Sequence, residues 1–582
     1  MCGIFGARRS WLALGAGDIS TRAERALSRL RWRGSDGGGS AICGDFVLGC
    51  ARLAITDRLS TQPVALRGGR YLAVLNGAIT NARELWGELL PRMRRRDRLP
   101  NDAWLPLLLV ARGQPERIAE LAGHHALAVV DGVSNQLWLS RDAMGEKPLF
   151  VVREHGEVVA FASTWPALRE LGVEPELPAA AVTRFFHYGN TGAVAHGDER
   201  RHVDGEALPE MVQPTSSAAV PGGSFASALA RATARCADAE QPVALSLSGG
   251  IDSSCLAAIL HQQRRAVPAY QFLAHGNDVS ERDVARLVAQ HCGHELRPVD
   301  GGREVLDALP HLTRHWGLPL GDPSVLAVHA LARAAAADGV RILLSGEGAD
   351  EALLGYARHR TLRWPLGLGL PAVARPSWNT SYGARLLRAL CSRRPYDTLL
   401  EVTPPAFRHA VLARGDEPSV LSAQWSLFSS STRLQAASAI DRDFYLRHDL
   451  LPKIDVATMA ASVEARCPFL DGEVQRAAQA LSPRERDRKK PLRDAFVSAL
   501  PAVVFAQRKR GFSLPLDRWF RTDLPWLDLL REPRTRQRSH LRKGGLDRAI
   551  DLHRSEKQNL GHSLYLVVAF ECWLREREGQ CA

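Results

Sequence analysis

The chain has 582 residues, of which 45% are hydrophobic, and a formal net charge of +12 at pH 7. This length exceeds what one hydrophobic core supports, so the sequence predicts at least two globular domains. No apolar run approaches the length of a membrane span, which predicts a soluble cytoplasmic protein. The ten cysteines form neither CxxC pairs nor a His/Cys cluster, so neither a disulfide framework nor a zinc site is predicted.

The basic charge is concentrated in three arginine-rich runs, at 93–98, 484–490 and 531–543. A basic nucleic-acid-binding scaffold is therefore the alternative from a different functional class. However, the runs lie apart, contain no interleaved aromatic residues and match no recognition module. Solvated arginine-rich faces are the favoured interpretation, and no nucleic-acid or membrane partner is expected.

The N-terminal third begins with MCGIFG, in which removal of Met1 would expose Cys2. Its thiol could then act as a nucleophile, with the α-amine as its own base. Taken alone, a cysteine at the start of a strand is the simpler interpretation. Further motifs follow in order, separated by alternating apolar runs typical of strands: LRWRGSDG (30–37), ARLAITD (51–57), LAVLNGAIT (72–80), Asp102 and LSRDAMGEKPLF (139–150).

Together these motifs resemble the glutamine amidotransferase domain of the N-terminal-nucleophile type over about the first 170 residues. The resemblance implies an αββα sandwich in which Cys2 forms the glutamyl thioester. Arg52 would pair with the substrate α-carboxylate and Asp102 would hold its α-ammonium. Asn76 and the Gly77 N–H would form the oxyanion hole.

Two departures from the family pattern bear on this activity. The family's NGEIYN reads NGAITN here, so Ala78 replaces a carboxylate that helps to hold the glutamine ammonium, and HRGPD reads WRGSD at 32–36. We expect a functional but weak glutaminase, with free ammonia as a substitute nitrogen source.

A segment rich in Gly, Pro, Ser and charge between about 195 and 225 predicts a domain boundary. We assign 1–200 to the glutaminase domain, 201–225 to a linker and 226–582 to a second domain. In that domain, strand patterns alternate with helix patterns, which predicts a parallel sheet with helices on both faces. Ligands in such sheets bind beyond the carboxyl ends of the strands.

Two glycine-rich loops, SGGIDSS at 248–254 and SGEGADE at 345–351, follow predicted strands. Gly249 and Gly250 allow a tight turn into a helix whose free N–H groups can face an anion. The first loop lacks the lysine of GxxxxGK[ST], so it is not an ordinary kinase or ATPase P-loop. Both loops are expected to contact one nucleotide.

These loops resemble the signatures of N-type ATP pyrophosphatases and of the asparagine synthetase family. Further matching segments extend the resemblance over essentially the whole chain: GDPSVLA (321–327), 442–471, KKPLRDA (489–495), QRKRGFSLPLDRWF (507–520) and HSLYLVVAFECWL (562–574). The implied cofactors are ATP and Mg²⁺. A carboxylate would attack the α-phosphorus of ATP, pyrophosphate would leave, and an amine would displace AMP.

The resemblance also implies roles for individual residues. The pyrophosphate would be held by Ser248, Gly249, Gly250, Ser253 and Ser254, the adenosine by Leu247, Ser345 and Gly346, and Mg²⁺ by Asp252 and Asp350. Glu347 would act as the base for the attacking ammonia. Lys489 would neutralise developing phosphate charge, with Lys490 as the alternative if the register differs by one.

Four charged residues lie within the apolar run 451–471 or at its end: Asp455, Glu464, Arg466 and Asp471. Charged groups among apolar neighbours need partners, so we predict structural ion pairs there. An internal ammonia channel between the two sites is a further implication of the resemblance.

The function predicted is that of a glutamine-dependent amidotransferase of the asparagine synthetase B type, acting on glutamine, ATP and a carboxylic acid such as aspartate. The segment GLPLGDPSVLA has no arginine for a substrate α-carboxylate, which favours a specialised amide-forming relative in secondary metabolism. An intramolecular amide synthetase, of the β-lactam or lasso-peptide type, is the alternative. The oligomeric state is open, and a homodimer is compatible with the sequence.

Overall fold

The computed structural model describes residues 2–13, 18–55, 61–90, 100–173, 177–192, 202–204, 224–274, 279–362, 378–392, 395–413, 432–506, 514–522, 525–542 and 544–579. Most of the predicted linker 201–225, the basic run 93–98 and the QRKRGF part of the 507–520 motif lie outside these residues. Among the helices described, none is both long and apolar enough to cross a membrane.

The N-terminal part contains two antiparallel sheets. Their strands are β1 (Cys2–Arg8), β2 (Gly38–Cys43), β3 (Phe46–Arg52), β4 (Val64–Leu66), β5 (Tyr71–Ile79), β6 (Gly123–Asp131), β7 (Gln136–Arg141), β8 (Phe150–Glu154), β9 (Glu157–Ala162) and β10 (His202–Asp204). One sheet has the order β10-β8-β9-β1-β3-β2 and the other β4-β5-β6-β7. The inner faces of both sheets share one apolar cluster that includes Ile4, Leu48 and Val74.

Helices cover the outer faces of the two sheets. They are Arg9–Leu12, Ile19–Leu30, Ala82–Leu89, Trp104–Ala111, Trp165–Glu170 and Ala179–Tyr188, with a 3₁₀ turn at Pro115–Glu120. Ala23, Ala26 and Leu30 lie at the spacing that buries one face of a helix, and they pack beneath the first sheet. The predicted αββα sandwich is confirmed.

The second part is built on a five-stranded parallel sheet with the order β13-β12-β11-β14-β15. Its strands are β11 (Val243–Ser246), β12 (Pro268–Ala274), β13 (Glu295–Gly301), β14 (Ile342–Leu344) and β15 (Glu464–Arg466). All four strand pairs are parallel. The predicted parallel sheet of the second domain is confirmed.

Helices flank this sheet and form the C-terminal part of the chain. They are Phe225–Ala237, Ile251–Gln262, Val279–Cys292, Leu309–Trp316, Ser324–Ala337, Ala349–Ala352, Ala357–Thr361, Tyr382–Cys391, Pro395–Leu400, Pro405–Val411, Arg433–Ile440, Leu451–Met459, Gly472–Ala480, Pro483–Arg486, Lys490–Phe496, Val503–Ala506, Leu516–Trp519, Pro525–Arg531, Pro533–Arg536, Gly545–Arg554 and Gly561–Arg577. Short 3₁₀ turns occur at Arg303–Ala308, Pro468–Leu470 and Asp487–Lys489.

A π-helical segment, Asp441–Leu450, joins the helices Arg433–Ile440 and Leu451–Met459. Segments of this kind are rare and often occur at functional sites. Here the segment leads into the helix that carries Lys453 and Asp455, both of which are buried. This helix lies where the two parts of the molecule meet.

Candidate active sites

The first site is formed around Cys2, at the beginning of β1. Cys2 is opposite Arg52 on the neighbouring strand β3, and its backbone N–H donates to Asn76 Oδ1 at 3.0 Å from the facing sheet. Asn76 is fully buried, and its Nδ2 has no hydrogen-bond partner among the residues described. A buried amide donor beside the thiol can stabilise an oxyanion formed at that position.

Gln62 contacts the Cys2 sulfur, and Cys50 affects its pKa. Gln62 Nε2 donates to Cys2 Sγ at 3.9 Å, while Gln62 Oε1 accepts from the Leu75 N–H at 2.7 Å, which fixes the amide orientation. Cys50, on the neighbouring strand β3, lowers the pKa of the Cys2 thiol to about 6 although burial opposes this shift. The thiolate is the nucleophilic form, so Cys2 is activated near neutral pH.

Gly77 and Asp102 complete this region. Gly77 has φ +124°, and a Cβ there would lie 1.9 Å from the carbonyl oxygen of His124, so only glycine fits. Asp102 is buried and accepts from the Ile79 N–H at 2.8 Å. Burial raises the pKa of Asp102 to about 6. The backbone at the end of β5 therefore orients the carboxylate that the sequence assigns to the substrate ammonium.

The second site lies at the carboxyl ends of β11 and β14. The turn after β11 depends on Gly249, which has φ +81°, and Ser248 and Ser253 join their hydroxyl oxygens at 3.2 Å across the loop. The hydroxyl of Ser254 is buried without a partner in the described structure. Loop N–H groups and hydroxyls at a helix start provide donors for phosphate oxygens.

Lys489 connects this loop to the loop after β14. Its Nζ lies 2.6 Å from Asp252 Oδ2 and 2.7 Å from Asp350 Oδ1. Lys489 has the left-handed backbone conformation, with φ +59°, and its side chain is buried. The side chain of the adjacent Lys490 is instead exposed and pairs with Asp494. The structure thus places Lys489, and not Lys490, between the two carboxylates.

Glu347 belongs to a charged cluster around the buried Lys453, beside these loops. Lys453 Nζ lies 3.2 Å from Glu347 Oε1 and 3.4 Å from Asp322 Oδ2. Burial disfavours the Lys453 ammonium, but the two carboxylates raise its pKa overall. Burial also raises the pKa of Asp449 well above its usual range, and the charge of Asp322 adds to this effect.

Buried polar contacts connect the two sites. Arg33 donates from Nε to the carbonyl oxygen of Cys2 at 3.2 Å and from Nη1 to Asp455 at 2.7 Å. His124 on β6 lies 2.9 Å from Glu464 on β15, which also accepts from Arg466 at 2.6 Å. Burial lowers the pKa of His124 to about 4, so this histidine is neutral at pH 7.

A cavity of about 60 Å³ lies at the junction of the two parts. Residues from both contribute to its walls, including Glu146, Asn190, Asp322, Asp449, Lys453 and Asp455. Asp455 connects the cavity through Arg33 to Cys2, and Lys453 connects it to Glu347. Polar side chains of the cavity wall therefore contact components of both sites.

The predicted site residues fall into two spatial groups. Cys2, Arg52, Asn76, Gly77 and Asp102 lie on or beside strands of the N-terminal sandwich, whereas those numbered 247–254 and 345–350 meet at the ends of β11 and β14 with Lys489. A Cβ on Gly346 would lie 3.0 Å from Asp252 Cβ, which shows how closely the two loops pack. The assigned roles stay predictions.

The four charged residues at 455–471 are ion-paired, as predicted. Asp455 pairs with Arg33, Glu464 with Arg466, and Asp471 with Arg235. The sequence reasoning did not identify Gln62, Cys50 or Lys453 as parts of the sites. A lysine within the apolar run 451–460 was a usable signal for Lys453, but no local pattern distinguished the other two.

Two family models match the chain. One, described as asparagine synthase, covers residues 224–575, and the other, described as a glutamine amidotransferase domain, covers residues 1–199. A putative glutamine-hydrolysing asparagine synthetase of Mycobacterium tuberculosis is 28% identical over 98% of this chain and 97% of its own length. The asparagine synthetase 1 of Bacillus subtilis is 25% identical over 98% of this chain and 96% of its own length. The asparagine synthetase B of Escherichia coli is 25% identical over 61% of this chain and 65% of its own length.

Proposed function

The chain belongs to the asparagine synthase family of glutamine-hydrolysing, ATP-dependent amide-forming ligases, and we propose that its two sites perform glutamine hydrolysis and carboxylate activation in turn. The family models end at 199 and begin at 224, which supports a domain boundary within 201–225. The glutaminase domain would then comprise 1–200 and the synthetase domain 226–582.

At the first site, the Cys2 thiolate attacks the side-chain amide carbon of glutamine. Asn76 Nδ2 and the Gly77 N–H stabilise the resulting oxyanion. The α-amine of Cys2, which takes the thiol proton after removal of Met1, passes it to the amide nitrogen, so ammonia leaves with formation of a thioester that water hydrolyses to glutamate. Arg52 and Asp102 bind the α-carboxylate and α-ammonium of glutamine. The contacts of Cys2 with Asn76 and Gln62 support this assignment.

At the second site, the acceptor carboxylate attacks the α-phosphorus of ATP, which gives an acyl adenylate and pyrophosphate. The loop 248–254 holds the pyrophosphate, while Leu247, Ser345 and Gly346 bind the adenosine. Lys489 neutralises charge on the phosphates as it develops. Ammonia then attacks the activated carbonyl, and Glu347 accepts the excess proton before AMP leaves.

The donor set at this site fits Mg²⁺. Asp252 and Asp350 approach a single cationic atom, Lys489 Nζ, within 2.7 Å, so both can also approach one small cation. Sites for Mg²⁺ commonly have one or two carboxylates completed by substrate phosphates and water, which agrees with the absence of a larger ligand cluster among the residues described. Bound Mg²⁺ would stabilise negative charge on the pyrophosphate.

The cavity between the two parts is proposed as a segment of the route for ammonia. Its walls include Asp455, which is joined to Cys2 through Arg33, and Lys453, which pairs with Glu347. Transfer through a protein interior prevents ammonia from being protonated and lost in bulk water. Aspartate is the proposed acceptor because the full-length relatives are named asparagine synthetases.

The observation that carries the proposal is the contact of Lys489 with both Asp252 and Asp350. These residues are distant in sequence and come from three separate motifs. Their convergence at the ends of two parallel strands forms a charged site suited to triphosphate chemistry. No contact in the described residues favours an internal amine acceptor or a nucleic-acid partner.

The test is ATP–pyrophosphate exchange with a panel of carboxylic acids, in the wild type and in Cys2→Ala. We expect exchange with aspartate in both proteins, asparagine formation from ammonia in both, and glutamine-dependent formation only in the wild type. Exchange with another acid alone would transfer the proposal to that acid. Absence of exchange with every acid in the presence of Mg²⁺ would contradict carboxylate adenylation.

A further inference from the structure

Two histidines, His311 and His315, lie one turn apart on the helix Leu309–Trp316. Residues four apart on a helix are neighbours on one face, and the Nε2 atoms of these two imidazoles are 3.2 Å apart. The ring centroids are 4.2 Å apart and the ring planes are nearly perpendicular, at 77°. Two ring nitrogens therefore converge on one point beside the helix.

Both imidazoles are neutral at pH 7. Burial lowers the pKa of His315 to about 3. Partial burial and the charges of Arg314 and Arg333 lower the pKa of His311 below its usual value. In the pair one Nε2 carries a proton that the other accepts, and a neutral ring can move this proton to its Nδ1 by exchange with water. Both Nε2 lone pairs can thus face an ion without net loss of a proton.

The separation of the two nitrogens suits two ligands of one metal ion. Imidazole nitrogens bind Zn²⁺ at about 2.0–2.1 Å, and a tetrahedral angle between two such bonds places the nitrogens about 3.3 Å apart. Histidines at i and i+4 of a helix hold Zn²⁺ in this way. An all-imidazole set favours Zn²⁺, Cu²⁺ or Ni²⁺, whereas Mg²⁺ prefers oxygen ligands.

We propose that His311 and His315 together bind one Zn²⁺ ion where the two parts of the molecule meet. Each Nε2 gives one lone pair to the ion. The described residues contain no group of three His, Cys, Asp or Glu side chains placed to hold a metal, so water completes the coordination. His311 is exposed, which gives the ion and its water ligands access from solvent.

Three arginines lie near the pair, and their charges are compensated or screened. Arg314 pairs with Glu576 at 3.1 Å, and Arg33 pairs with Asp455 at 2.7 Å. Arg333 is exposed, so water and salt screen its charge. The neighbourhood therefore does not repel a dication strongly.

A further histidine, His329 on the next helix, is held in another contact. Its Nδ1 donates to the carbonyl oxygen of Ala457 at 3.0 Å, and its ring centroid is 6.2 Å from that of His311. The two imidazoles of the helix Leu309–Trp316 are therefore the protein ligands of the proposed site.

Trp32 joins this site to the N-terminal part of the molecule. The His315 ring stacks on the Trp32 ring, with centroids 4.6 Å apart and an angle of 14° between the planes. The guanidinium of Arg33 lies over the same Trp32 ring, 5.1 Å from its centroid, and donates to the Cys2 carbonyl oxygen. An ion that fixes the His315 ring also holds this junction, so Zn²⁺ is expected to raise the unfolding temperature.

The experiment titrates the full-length protein with Zn²⁺ by calorimetry in excess Mg²⁺, and compares thermal unfolding with and without Zn²⁺. Cys2→Ala serves as the parent protein, because the Cys2 thiolate would also bind Zn²⁺. His311→Gln removes one ligand at an exposed position. The matched control is His155→Asn, which replaces an exposed histidine in the turn between β8 and β9.

Chemical modification tests the same site without a change of ligand. Diethyl pyrocarbonate acylates neutral imidazoles, and trypsin leaves His311 as the only histidine of the peptide 304–314. Saturating Zn²⁺ should slow the modification of His311 in the parent by at least about tenfold, because the ion occupies the nitrogen lone pair. Mg²⁺ at the same concentration should give no protection.

We expect one equivalent of Zn²⁺ to bind the parent and His155→Asn in excess Mg²⁺ and to raise their unfolding temperatures. In His311→Gln the affinity should fall by at least about tenfold, and the rise should disappear. Equal binding in His311→Gln and the parent, displacement by Mg²⁺, or unprotected His311 would overturn the inference. No readout depends on catalysis, so a failure of the proposed function would leave these outcomes unchanged.

Discussion

The two sites achieve reactivity by different physical means. At the N-terminal site a single thiol lies between two antiparallel sheets, where the Gln62 amide donates to its sulfur and Cys50 lowers its pKa. At the C-terminal site, Lys489, Asp252 and Asp350 bring full charges together on loops at the ends of parallel strands.

This difference follows from the chemistry that each site is proposed to perform. A thioester forms at one atom, so strand pairing can fix the nucleophile and its oxyanion donors rigidly. A triphosphate carries several negative charges over a longer distance, so loop N–H groups and cations are needed to compensate for them, and carboxylates serve to hold a metal cation. The buried pair between Arg33 and Asp455 joins these two environments.

Replacement of Lys489 by methionine is expected to have the largest effect, a loss of amide formation of about 10²–10³-fold with glutamine or ammonia. The reason is the removal of the cation between Asp252 and Asp350. Glutamine hydrolysis should persist, since that site lies in the other domain. The matched control is Lys490→Met, which removes an exposed lysine that pairs with Asp494 and should leave the rates unchanged. Equal losses in both variants would contradict the assignment of Lys489.

Replacement of Asp455 by asparagine tests the link between the sites. It leaves the fully buried Arg33 guanidinium without its counter-charge, which is expected to lower the free energy of unfolding by about 3 kcal/mol. Urea denaturation measures this loss, and the glutamine hydrolysed per amide formed should rise. The double variant Arg33→Met, Asp455→Leu should recover the free energy of unfolding. The amount of glutamine hydrolysed per amide formed should stay raised in it. Unchanged stability in the single variant would show that the pair does not join the domains energetically.

The pH dependence separates the two sites further. Because the pKa of Cys2 is lowered to about 6, its thiolate is present above pH 6 and is lost as the pH falls. Alkylation of Cys2 by iodoacetamide should slow about tenfold per pH unit below 6. The pKa of Asp102 is raised to about 6, so its carboxylate is also protonated below pH 6. This protonation should weaken the binding of glutamine. In Cys50→Ala the inflection of the alkylation profile should move to higher pH, and an unmoved profile would contradict the role of the Cys50 contact.

Replacement of Gln62 by leucine is expected to have the smallest effect. It removes one donor to the Cys2 sulfur and leaves the Leu75 N–H without its acceptor, so kcat/KM for glutamine should fall by about fivefold, corresponding to roughly 1 kcal/mol. Amide formation from ammonia should remain unchanged. A comparable fall with both nitrogen sources would show that the effect is structural and does not arise at the thiol.

Much of the candidate chemistry could be predicted because it depends on local sequence. SGGIDSS and SGEGADE each follow an apolar strand, and the structure places both at the carboxyl ends of β11 and β14. Cys2 is identifiable from its place in the motif MCGIFG. The alternation of strand and helix patterns predicted the parallel sheet. Alternating apolar runs indicated strands in the N-terminal third, and the resemblance to a known family implied that they form an αββα sandwich.

What the sequence by itself determined is the set of motifs, their order and the two sheet types. Only the tertiary structure decided that Lys489, and not its neighbour, contacts Asp252, because these two residues are 237 positions apart in the chain and meet only when it is folded. It also placed Gln62 and Cys50 at the nucleophile and Arg33 against Asp455. These contacts join residues up to 422 positions apart, and such pairs are chosen by packing and charge compensation in the folded chain, not by any local pattern.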